Sequence, residues 1–104
     1  MSRCRVEKRV WRDPFKTSDF TCLYYELEVD ETPRRGHELN EGRWYSGPVN
    51  FVIWDLDAEQ FNCRVDDEVP CADQDFEYSY EFLVENAVAE GWKVSAVWGA
   101  GAAH

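Results

Sequence analysis

Alternation opens the chain. In Cys4-Arg5-Val6-Glu7-Lys8-Arg9-Val10-Trp11, Cys4, Val6 and Val10 fall on one side and Arg5, Glu7 and Arg9 on the other, the period of two that marks a half-buried strand. Asp13-Pro14 breaks it, and a loop runs through Thr17-Ser18-Asp19. Residues 20–29 alternate again, with Leu23, Tyr25, Leu27 and Val29 inward and Tyr24, Glu26 and Glu28 outward; if the two strands are antiparallel neighbours, Arg5 and Arg9 can meet Glu26 and Glu28. Periodicity then lapses over 30–48, which predicts a long loop holding Arg34, Arg35, Arg43, Trp44 and Tyr45, with Trp44 as a lid on the core. Val49-Asn50-Phe51-Val52-Ile53-Trp54 is apolar on both faces and predicts a central strand. An acidic turn over 55–60 returns the chain into a hairpin partner at 61–65, and 93–98 supplies the last strand before a loose tail, 99–104.

The period changes to helical over 73–92. At 100° per residue, Phe76, Tyr80, Leu83, Val84, Ala87 and Val88 share one face. Asp73 or Asp75 can cap the start, while Gly91 followed by Trp92 folding back on Val88 has the Schellman pattern at the end. On this helix Glu77, Glu81 and Glu85 recur every four residues as a like-charged ridge, about 6 Å per step. Tyr78 and Phe82 point away from the core stripe, where folding alone gives no reason to keep two rings. A solvated glutamate face, with the rings covered by a loop or a second copy, is the competing explanation.

Strand, strand, strand, strand, helix, strand with short links predicts an α+β domain: an antiparallel sheet of about five strands with one long C-terminal helix on one face. The 104 residues suit a single domain. Residues 82–98, FLVENAVAEGWKVSAVW, resemble the helix, Glu-Gly-Trp turn and strand that end small bacterial domains. The resemblance implies fold alone.

Charge changes the picture more than composition does. The formal net charge is −10, and residues 1–16 hold six bases against two acids while residues 55–90 hold twelve acids against Arg64 alone. A field of this sign repels nucleic acid and anionic lipid and attracts a basic protein surface. No run approaches the length of a membrane span. Cys4, Cys22, Cys63 and Cys71 lack zinc-ligand spacing and are expected as reduced thiols in a cytoplasmic protein, monomeric or a small homo-oligomer.

Catalytic chemistry finds few footholds. His37 sits in the long loop and His104 at the end, away from any Ser or Cys that a base could activate. Asp55, Asp57 and Glu59 have oxygen ligands to offer a cation, but an acidic turn is the simpler meaning. No glycine-rich phosphate loop is present. The expectation is therefore no enzyme, no cofactor and no metal.

What remains is a binding surface. Asp66, Asp67, Glu68, Asp73, Asp75, Glu77, Glu81 and Glu85 lie within twenty residues, with Tyr78 and Phe82 among them. A basic groove that accepts phosphates can accept carboxylates through charge-assisted bonds. The specific expectation is a small inhibitor that blocks a basic nucleic-acid-binding partner by DNA mimicry, similar in size and charge to phage anti-CRISPR proteins. An immunity protein against a basic nuclease toxin, or an acidic housekeeping module, would use the same surface differently.

Overall fold

A computed structural model describes residues 1–72 and 77–98. The chain runs β1 (Ser2–Trp11), β2 (Phe20–Val29), β3 (Glu38–Glu41), β4 (Trp44–Asp55), β5 (Gln60–Val65), β6 (Cys71–Ala72), β7 (Glu77–Tyr78), α1 (Tyr80–Glu90) and β8 (Lys93–Trp98). Six strands form one sheet in the order β3-β4-β5-β1-β2-β8, and β6 pairs with β7 in a separate antiparallel ribbon. The fold is α+β, as the pattern predicts, with two corrections.

The sheet is mixed rather than antiparallel. β5 returns from β4 as an antiparallel hairpin, but it then lies parallel to β1, with Cys4 opposite Phe61 and Val6 opposite Cys63. A strand placed beside the first strand of the chain takes its direction from the hairpin that delivers it, and no local pattern reports that. The helix is also short. It has 11 residues, because Ser79 is its N-cap, extended at φ −72°, ψ 161°, with its Oγ accepting the Phe82 N–H at 3.1 Å. The end is as expected: Gly91 is left-handed at φ 116°, and the Trp92 N–H reaches back to the Ala87 carbonyl at 3.0 Å.

The chain divides into two compact units. The first comprises Met1–Lys8 with Tyr24–Asp66. Its buried residues include Cys4, Val6, Leu27, Trp44, Val49, Cys63 and Val65, the inward positions of β1, β2, β4 and β5. Lys8, on the inward side of β1, is buried with them. The stretch 30–48 holds more structure than its aperiodicity suggests. β3 folds onto the start of β4 through a two-residue turn in which Gly42 has φ 61°. Trp44 is only 3% exposed and stacks on Tyr25 with ring centroids 4.0 Å apart.

β4 departs furthest from expectation. In its first half Trp44, Ser46 and Val49 are buried, but in its second half Phe51, Ile53 and Trp54 are 42%, 55% and 45% exposed. This apolar run is therefore partly in water on both faces, and not the doubly covered strand that its composition predicts. On the outer surface Arg5 lies over the Tyr24 ring at 4.1 Å and Arg3 pairs with Glu26 at 3.5 Å.

The second unit comprises Arg9–Leu23 with Asp67–His104. Val10, Leu23, Ala87 and Trp92 are buried apolar residues among its described residues, and the hydroxyls of Thr21 and Tyr80 are hydrogen-bonded. Trp11 packs on Phe20 at 4.7 Å, and the Arg12 guanidinium lies 4.3 Å above the Tyr80 ring.

Candidate functional site

Ser79 builds the site by ending one element and starting another. Tyr78 is the last residue of β7, opposite Cys71 of β6, and Phe82 is in the first turn of α1. The two rings therefore meet across a strand-to-helix corner, and not along a helix as their spacing of four suggests. Their centroids are 5.4 Å apart and tilted by 53°, yet 37% of Tyr78 and 44% of Phe82 remain exposed. They line an open depression of about 390 Å³ together with Val69, Cys71, Leu83, Glu68 and Asn86. Glu81 and Glu85 are exposed on α1, one helical turn apart.

The ten residues expected to form one acidic strip have separate fates. Asp73 and Asp75 lie outside the described residues. Glu77 belongs to β7, so the three-step ridge is reduced to Glu81 and Glu85 on the helix. Asp66, in the first unit, accepts the amide N–H of Asn50 at 2.7 Å. Glu68 joins the end of β1 through its backbone: its N–H donates to the Arg9 carbonyl and its own carbonyl accepts from Trp11 N–H, both at 2.9 Å.

The Asp67 carboxylate is turned inward. Its carboxylate accepts from Arg9 Nε at 3.1 Å and from Trp11 Nε1 at 3.1 Å, pairs with Lys16 Nζ at 3.3 Å, and is 7% exposed. Burial alone would raise its pKa; the hydrogen bonds from Trp11, Arg9 and Lys16 outweigh burial and hold the acid below the usual carboxylate value. It is an internal counter-ion for the basic N-terminal segment. Tyr78, Glu81, Phe82 and Glu85 form an exposed group on one short stretch.

Arg12 bears on that group. Its Nε–H donates to both carboxylate oxygens of Asp19, at 2.8 and 3.1 Å, and its pKa is raised first by that bond and also by the charge of Glu81. Acidity is also spread wider than the helix: the first unit carries eleven acids against seven bases and the second ten against four.

Other candidate chemistry resolves into structure. Asp55 Oδ1 accepts the N–H groups of Asp57 and Ala58, and its Oδ2 accepts from Asn62, so this acid fastens its own turn. Among the described residues no three His, Cys, Asp or Glu side chains gather as metal ligands. The four cysteines are free thiols, with Cys4 and Cys63 Sγ atoms 3.5 Å apart in the buried face of the first unit. Among the described residues no helix is long and apolar enough to cross a membrane.

Pattern reading missed Val69, Cys71 and Asn86, which complete the depression. The run Val69-Pro70-Cys71, apolar and adjacent to an acidic cluster, was the available signal. No family model, no curated protein and no solved structure matches this chain.

Proposed function

We propose that this chain is a small acidic protein-binding inhibitor that docks, through the start of α1, on a basic nucleic-acid-binding partner. The observation that carries it is the Tyr78–Phe82 corner: two half-exposed rings over an apolar-lined depression, flanked by exposed Glu81 and Glu85. Aromatic side chains that open onto a pocket are the residue types that anchor interfaces, and a carboxylate rim steers a basic partner toward them.

The mimicry in this proposal is local. Two carboxylates stand in for phosphates and two rings for base faces, in place of a long replica of a duplex backbone. Block of nucleic-acid binding then follows from occupation of the same basic groove, and a phage anti-defence role is the specific form of it.

Affinity capture with the parent chain and with a Tyr78→Ala/Phe82→Ala variant, followed by challenge of the captured partner with duplex DNA, tests the proposal. The parent should retain a DNA-binding protein that duplex DNA displaces, and the variant should lose it. Equal retention by both, or indifference to DNA, would overturn it.

A further inference from the structure

The second half of β4 is an edge with no partner strand along one side among the described residues. On one side residues Phe51 to Asp55 pair with β5, from Phe51 opposite Arg64 to Asp55 opposite Gln60. On the other side, β3 pairs no further than Pro48, and the last backbone bonds are Gly36 N–H to Val49 O at 2.7 Å and Val49 N–H to His37 O at 2.8 Å. Beyond them comes Asn50-Phe51-Val52-Ile53-Trp54, which contains no charge and no proline, the usual means by which edges are protected. Three of its five side chains are large, apolar and 42–55% exposed.

From this edge we infer that the chain self-associates: two β4 strands pair antiparallel about a two-fold axis through Val52, joining their sheets. An axis perpendicular to the sheet keeps each face on its own side, so facing residues must have side chains of the same parity. Centring on Val52 satisfies that, and it sets Phe51 against Ile53 of the second copy and Ile53 against its Phe51. Both exposed apolar positions of the outer face are then covered twice by an aromatic against a β-branched residue, a favourable cross-strand pair.

Charge selects a second copy as the occupant. Each chain carries −10, and a basic partner would seek carboxylates, of which residues 50–54 offer none. This neutral stretch is where two acidic chains can touch without placing acid on acid. Repulsion from the rest of each chain is screened by salt, so the dimer tightens as ionic strength rises. Docking on a basic partner weakens under the same change, and the two interactions are separable by that sign.

Sedimentation velocity across a salt series tests this, with the parent, with Ile53→Lys, and with a Val52→Cys/Cys71→Ser variant oxidised by glutathione disulfide. The expected result is a parent dimer strengthened by salt, weakening of at least roughly tenfold in Ile53→Lys, and a covalent dimer through position 52. A parent that stays monomeric at all salt concentrations up to roughly 100 µM, where even a weak dimer would be half formed, overturns the inference. So does a dimer indifferent to Ile53→Lys that does not cross-link at position 52, since it would use another surface.

Discussion

The Asp67 carboxylate accepts the indole N–H of Trp11 at 3.1 Å while only 7% of its side chain meets solvent. With Arg9 and Lys16 also on it, this acid organises the basic end of β1 in the second unit. Asp67→Ala leaves the Trp11 donor without its acceptor, whereas Arg9 and Lys16, 31% and 50% exposed, can turn to water. The expected loss is about 1–3 kcal/mol in urea unfolding, with partner capture unchanged once the variant is folded. Loss of capture by folded protein would return Asp67 to the binding surface.

Stability should fall in acid. Asp67 is held below its ordinary value as described, Asp19 by the Arg12 hydrogen bond, and Asp13 chiefly by the Ser18 hydroxyl and also by Thr17. A carboxyl whose folded pKa is depressed contributes stability that is present above its unfolded pKa of about 4 and is lost as pH drops through the folded value. The melting temperature is therefore expected to decline below about pH 4, and the decline should be shallower in Asp67→Asn. A melting temperature flat from neutral pH to strong acid would contradict these pairings.

Both ends of α1 depend on single residues. Ser79→Ala removes the Oγ that accepts the Phe82 N–H and should cost about 1 kcal/mol. Gly91→Ala forces a Cβ into φ 116° and should cost about 1–3 kcal/mol. Thermal or urea unfolding checks both. Ser79→Ala should in addition weaken partner capture, because the cap sets the corner that brings Tyr78 to Phe82.

Thiol reactivity should rank with burial. Cys71 is exposed, Cys22 intermediate, and Cys4 and Cys63 buried. The Cys63 thiol is pushed up by its bond with Cys4 and by burial, which keeps it protonated. Alkylation followed by mass spectrometry should mark Cys71 first, and Cys4 and Cys63 only on unfolding. Early labelling of Cys63 would refute the packing of β1 against β5.

Alternation made β1 and β2 legible, because a strand with one wet face writes its geometry as a period of two; Cys4, Val6, Val10, Leu23 and Leu27 are buried as that period requires. It failed at β4, where an apolar run means burial by something, and what covers Phe51 and Ile53 need not belong to the same chain. It failed again at 77–79, where Glu77 and Tyr78 are strand and Ser79 caps the helix. Tyr78 and Tyr80 fit a period of two as well as the helical spacing, so periodicity alone could not place the boundary. Asp67 was illegible for another reason: its partners Arg9 and Trp11 lie 58 and 56 residues away, and no local pattern reports a contact made by topology. What composition did convey was acidity, and the folded chain spreads that acidity over both units and spends part of it internally.

Capture of a partner at two salt concentrations, with the parent beside a Glu81→Lys/Glu85→Lys variant, bears most directly on the docking claim. At low salt the parent should hold a basic, nucleic-acid-binding protein, release it as ionic strength rises past the point where exposed charges are screened within about 8 Å, and the reversed variant should hold none. Equal retention by parent and variant, at either salt concentration, would mean that the carboxylates of α1 have no part in what this protein binds.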